Sequence, residues 1–349
     1  CGGVETSMLI DMHAHVLPDD FPEAPDGASD WPRMERTDTE TARLLVAGKL
    51  RFKAQDAFFS AERRLSAMEA DAVDAEVVSP MPPLLNYRLS PNHGRDLSRW
   101  INEFIAGLCQ AEPRRFFGLG TVPMQDPDLA AEALSEVKTT GLHGIEIASN
   151  VGGDSLGEDR FLEFFSEAER QRIPIFVHAL NPTFANRLPG AAMPSFAVSA
   201  EATLAAASII TSGTAEKLPN LRLAFSHAAG GFPLGLPRAN YFWAGTWNEE
   251  PPAAEGVGGP NRTPVSPAEY ARRFYYDTLV FDRRALRYLI DMIGPNQLLI
   301  GSDFPAMPRE HPAGRTLRSM GLAPNVVDDI TWHNAFRFLG VDAPELARG

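Results

Sequence analysis

The chain has very little cysteine: Cys1 and Cys109 are the only two in 349 residues. That excludes a disulfide framework and any metal site built from clustered thiolates. It is also short of positive charge, with 32 Lys and Arg against 45 Asp and Glu and a net charge of −13. No basic block occurs, so nucleic-acid binding, which needs a positive surface, is not expected. No run of eighteen apolar residues occurs and no signal peptide is read, so neither a membrane span nor export is expected. A cytoplasmic protein is the default reading. Residues 1–7 are expected to lie outside the folded unit, leaving 8–349 as one domain.

What is present is an alternation. Eight short runs dense in Val, Ile, Leu and Phe fall at residues 9–16, 74–80, 116–122, 144–149, 174–179, 221–228, 274–279 and 298–303. Runs of that kind are how buried parallel strands read. Amphipathic helical patterns lie between them, at 61–71, 96–111, 127–140, 159–172, 198–217, 283–293 and 326–339. Eight strand–helix repeats predict an α/β fold, a (β/α)8 barrel, with a doubly wound open sheet as the other arrangement of the same pattern. Two stretches break the alternation. Residues 18–53 are rich in Pro, Asp and Thr, and 249–267 in Pro and Gly. Both are expected to be surface insertions. The first leaves the end of strand one, where barrel active sites form, and reads as a cap over the site or a disordered loop.

The strand ends carry the chemistry. Strand one ends in His13 and His15, spaced i, i+2 and so directed to one face. Strand five ends in His178, strand six in His227 and strand eight in Asp303. In a barrel these ends share one rim, so four imidazoles and a carboxylate are expected to meet there, as a transition metal requires. His93, in a turn-like stretch, and His143, His311 and His333 read as surface or structural residues.

With these runs in place the chain resembles the amidohydrolase superfamily, and within it the aminocarboxymuconate-semialdehyde decarboxylase branch. The resemblance is carried by Ile10-Asp11-Met12-His13-Ala14-His15, Val177-His178, Phe225-Ser226-His227 with Gly230-Gly231, and Gly301-Ser302-Asp303-Phe304-Pro305. It extends over residues 63–69, 122–126 and 334–339. It implies an amidohydrolase-type TIM barrel in which His13, His15, His178 and Asp303 hold one divalent metal, zinc by preference. It also implies that His227 serves as acid/base. Imidazoles with one carboxylate suit zinc. Binuclear relatives bridge two metals with a lysine on strand four, and 144–150 contain none, so a single ion is expected.

The chain departs from the branch where the substrate is gripped. Ala179-Leu180 follow His178 where the branch has Pro and Trp, and Ala228-Ala229 interrupt its glycine run. Lys53 follows Phe52 where the branch has an arginine, with Arg51 close by, while Arg238 matches a basic position contributed across a homodimer interface. Arg238, Lys53 and Arg51 are thus the candidate contacts to a carboxylic acid. The function expected is non-oxidative decarboxylation of an aromatic or muconate-type acid. The alternative on the same constellation is a hydrolase or hydratase, with Asp303 and His227 handling protons. A catalytically dead barrel used for binding is a third reading, against which the intact residue set speaks.

Overall fold

The computed structural model describes residues 8–189, 193–247 and 263–344. The expected N-terminal extension, 1–7, and most of the second expected insertion, 249–262, lie outside the described residues.

Eight parallel strands form the centre: β1 Ile10–Val16, β2 Ala75–Pro80, β3 Phe116–Gly120, β4 Gly144–Ala148, β5 Ile175–His178, β6 Leu223–Phe225, β7 Tyr275–Asp277 and β8 Leu298–Leu299. They pair in sequence order. The two ends of that order also meet. The Met12 amide donates to the Ile300 carbonyl at 2.8 Å, Asp303 to His13 at 2.8 Å and His15 to Phe304 at 2.7 Å. The sheet therefore closes as a barrel, and the doubly wound alternative is discarded. Nearly every strand residue is buried, as it must be in a parallel sheet covered on both faces. Met12, Val77, Leu119, Phe176 and Leu299 belong to one buried apolar cluster with Trp332 and Phe336 of the C-terminal helical run.

Most helices fall where the periodicity placed them. Ala61–Asp71 and Arg283–Ile293 match it, and Ser60 and Asp282 cap them by accepting the Arg63 and Arg284 amides at 3.3 and 2.7 Å. Three differences have local causes. The second helix starts early, at Pro91, because Ser90 caps it and Pro91 supplies the fixed φ of a first turn, so His93 is helical rather than in a turn. The expected helix over 198–217 breaks into Val198–Thr211 and Thr214–Lys217 at Gly213. Phe232–Ala244, which was not expected, is helical despite Pro237 inside it.

The insertion after β1 is not structureless. Pro32–Arg36, Thr41–Val46 and Lys49–Gln55 form a three-stranded antiparallel sheet. Leu44 and Ala54 of this sheet are buried in the main core cluster, so its inner face is anchored by apolar burial. No helix among the described residues is long and apolar enough to cross a membrane.

Candidate metal centre

The site begins with an irregularity in β1. Asp11 pairs with Glu76 and Ala14 with Val78, so two residues, Met12 and His13, stand opposite Val77. Such a bulge re-aims side chains. Met12 packs into the inner apolar cluster, while the His13 ring meets Phe176 edge-on at 5.0 Å. His15, two residues on, shares the side of His13, and their rings lie 5.0 Å apart. Gly301 makes room for this. A Cβ there would sit 2.7 Å from His13 Cβ and 3.2 Å from Asp277 Cβ.

The five strand-end residues converge. His13 Nε2 lies 3.1 Å from His15 Nε2 and 3.6 Å from Asp303 Oδ1, and His15 Nε2 lies 3.0 Å from the same oxygen. The His178 ring is 5.0 Å from both His13 and His15. The His227 ring is 5.3 Å from His13 and 5.4 Å from His178. One ligand atom each from His13, His178, His227 and Asp303 lies within 4.8 Å of the others. His15 is outside that foursome, but its contacts with His13 and Asp303 place its Nε2 at the same focus.

In three of these rings Nδ1 faces an oxygen, which orients Nε2 inward. His13 Nδ1 bonds Asp277 Oδ2 at 2.7 Å, His15 Nδ1 bonds the Pro80 carbonyl at 3.1 Å, and His178 Nδ1 bonds the Ala179 carbonyl at 3.0 Å. A carbonyl only accepts, so Nδ1 of His15 and His178 must carry the proton, and Nε2 is left as a lone pair. His178 Nε2 is buried with no hydrogen-bond partner among the described residues. Lone pairs packed this closely in a buried site repel unless a cation lies among them. Nitrogens each about 2.1 Å from one ion sit about 3–3.5 Å apart at tetrahedral angles, and the His13 and His15 Nε2 atoms lie 3.1 Å apart. The residues therefore fit one divalent metal ion.

The electrostatics agree. Burial, with the neighbouring His15, His13 and His227, pushes His178 well below the ordinary histidine range. Burial also lowers His15 and His227. For His13 burial acts the same way, but the Asp277 hydrogen bond and the Asp303 charge outweigh it and push the group up to about 9. Burial opposes the ionised form of Asp303, yet the neighbouring His15, His13 and His178 hold it well below the usual carboxylate range. An anionic carboxylate beside the imidazoles of His15, His178 and His227, which burial keeps neutral, is a cation site.

Two acidic residues here escaped the sequence reading. Asp277 ends β7 and holds His13. The available signal was its place at the end of a buried strand. Glu146 on β4 is fully buried and lies 3.7 Å from His15 Nδ1, and burial pushes it up to about 8. Behind β1, Arg309 bonds Asp11 at 2.8 Å and also Glu76, and stacks 3.7 Å over the Phe304 ring. Arg64 bonds Glu76 and donates to the His15 carbonyl at 2.8 Å. These buried pairs tie β1 to the segment carrying Asp303.

The candidate substrate contacts occupy exposed positions. Arg51 and Lys53 are exposed, alternating along their strand with the half-buried Phe52 and the buried Ala54. Lys53 pairs across the sheet with Arg43, itself exposed. Strand alternation thus turns both side chains to solvent. Arg238 lies on the exposed side of helix Phe232–Ala244, its guanidinium 4.8 Å over Phe242. Of the remaining histidines, His143 is partly buried against Gly118, and His311 is exposed beside Asp71.

A closed parallel barrel with imidazoles and an aspartate on one rim defines a metal-dependent barrel enzyme. The amidohydrolase family model matches residues 10–341, and the chain belongs to that family. It is 29% identical over 341 residues to 2-amino-3-carboxymuconate-6-semialdehyde decarboxylase of Dictyostelium discoideum, covering 96% of this chain and 92% of that one. The crystal structure of 5-carboxyvanillate decarboxylase from Sphingomonas paucimobilis superposes with a TM-score of 0.79 at 25% identity, covering 97% of this chain and all of that one. A dihydroxybenzoic acid decarboxylase from Polaromonas, solved with bound manganese and 2-nitroresorcinol, shares the fold at 20% identity with a TM-score of 0.74, covering 96% and 97%.

Proposed function

We propose that this chain is a metal-dependent, non-oxidative decarboxylase of an aromatic or muconate-type carboxylic acid. The observation that carries the reading is the convergence of His13, His15, His178, Asp303 and His227, in a chain that aligns almost end to end with decarboxylases. His13, His15, His178 and Asp303 hold the ion, and His227 is the proton carrier. The ion is zinc by the imidazole-rich donor set, with manganese as the alternative that metal analysis distinguishes. When bound, it supplies positive charge to anchor and polarise the oxygen groups of the acid.

The chain's own residues do the rest. Decarboxylation breaks the bond from ring or diene carbon to carboxylate, releases CO₂ and leaves an electron pair on that carbon, which must take a proton. His227 stands beside the cluster to provide it. Burial lowers its proton affinity, so once protonated it gives the proton up readily. Asp303, held anionic, balances the charge of the site.

The acid also needs a cation besides the metal, because a chain at −13 repels anions at long range. Arg238 is the proposed grip, acting across a homodimer. Its helix exposes Leu234, Tyr241 and Phe242, with Trp247 just beyond, apolar surface suited to a second copy. Metal-loaded protein is to be assayed for CO₂ release from aromatic and muconate-type acids. A hydrated or ring-opened product without CO₂ overturns the reading.

A further inference from the structure

Asp277 is fully buried, and its carboxylate accepts four hydrogen bonds. Oδ2 takes His13 Nδ1–H at 2.7 Å and the His227 backbone amide at 2.8 Å. Oδ1 takes the Ala228 and Leu279 amides at 2.9 and 3.1 Å. One oxygen atom thus serves both a metal-site imidazole and the backbone of the residue read as the acid/base.

The second of these contacts falls where the backbone is least comfortable. His227, Ala228 and Ala229 have φ of 51°, 52° and 55°, three successive left-handed residues without a glycine among them. Left-handed backbone costs about 1–2 kcal/mol per residue outside glycine, so the turn persists only where its surroundings hold it. Asp277 supplies that hold by taking two of its amides. The turn then passes Gly230, where a Cβ would lie 1.8 Å from the Ser199 carbonyl oxygen.

We propose that Asp277 is a positioning residue that couples the two halves of the site, fixing the His13 imidazole toward the metal and the His227 turn toward the substrate through a single carboxylate. The inference rests on the decarboxylase reading for the role of His227 alone. For His13 it rests on the geometry of the cluster. An isosteric amide cannot replace the carboxylate. In Asp277→Asn one of the two oxygens becomes an NH₂ facing N–H donors. If that group faces His13, the imidazole must present the wrong nitrogen. If it faces Ala228 and Leu279, the turn loses its clamp.

The test uses the full-length protein loaded with Zn²⁺. In Asp277→Asn, Zn²⁺ affinity by chelator competition should fall about 10–100-fold. At saturating Zn²⁺, kcat should stay at least about tenfold down, with KM changed less, because excess metal does not restore the turn. The double variant Asp277→Asn/His227→Asn should lose little kcat beyond His227→Asn alone, the signature of coupled residues. Unchanged Zn²⁺ affinity overturns the arm to His13. Recovery of kcat at saturating metal, or additive losses in the double variant, overturns the arm to His227. If Asp277→Asn does not fold, the wild-type holoprotein labelled with ¹⁵N-histidine decides the matter. His13 should carry its proton on Nδ1, protected from exchange, and an unprotonated Nδ1 sinks the proposal. Failure of the wild type to release CO₂ would strike the decarboxylase reading and leave the affinity and NMR results standing.

Discussion

His15 and Asp303 come from the first strand and from just beyond the last, and their Nε2 and Oδ1 atoms lie 3.0 Å apart. The contact exists because the barrel closes: the Asp303 amide donates to the His13 carbonyl, which draws the aspartate to the histidine pair. Closure of the sheet and assembly of the candidate metal site are one event.

His178 Nε2 is buried without a hydrogen-bond partner among the described residues, so its removal should be felt mainly through the ion. His178→Ala is expected to lose most bound metal and activity together, since four ligands set both affinity and geometry. Metal content after gel filtration checks this, and full occupancy would remove His178 from the ligand set.

His227 has its ring beside the cluster, and its backbone, not its ring, is held by Asp277. His227→Asn should keep the metal and lose turnover by about 10²–10⁴-fold, the range for a general acid–base group. Turnover like that of the wild type would reduce it to a packing residue.

Gly301 leaves no space for a methyl group between His13 and Asp277. Gly301→Ala should destabilise the fold by about 1–3 kcal/mol through overpacking and weaken metal binding by displacing His13. Urea denaturation and chelator competition read the two effects. Loss of stability with unaltered metal affinity would show that His13 does not move.

Arg309, Asp11 and Glu76 form a buried charge network, with side-chain exposures of 1%, 3% and 0%. Removing Arg309 leaves Asp11 buried without its cation, while Glu76 keeps Arg64. Arg309→Met should therefore cost about 3–5 kcal/mol, measurable as a lower denaturation midpoint. A change under 1 kcal/mol would mean that water reaches the acids.

Cys109 is buried, and burial pushes its thiol up to about 12. The thiolate is the reactive form, so at pH 8 the group is protonated as well as shielded. In a Cys1→Ser background, a thiol reagent should label the native protein slowly and the denatured protein stoichiometrically. Rapid native labelling would place Cys109 in an open region.

Much of the architecture was legible because it rests on short-range pattern. Runs of Val, Ile, Leu and Phe mark β1 to β8 through the need to bury both sheet faces, and charge periodicity marks helices such as Ala61–Asp71. The residues brought together at the rim were legible for a related reason: a polar group ending an apolar strand is conspicuous, and barrel topology sends strand ends to one place. The antiparallel sheet over 32–55 was not. Its strands are partly exposed and mix charged with apolar residues, and it is held by the burial of Leu44 and Ala54, a fact of packing. The same alternation turned Arg51 and Lys53 outward. The bulge at Met12–His13, the left-handed turn at 227–229 and the sharing of Asp277 between two elements were decided only in three dimensions. Each is a contact between segments far apart in the chain, and the hydrogen bonds that make it exist only once the barrel has closed.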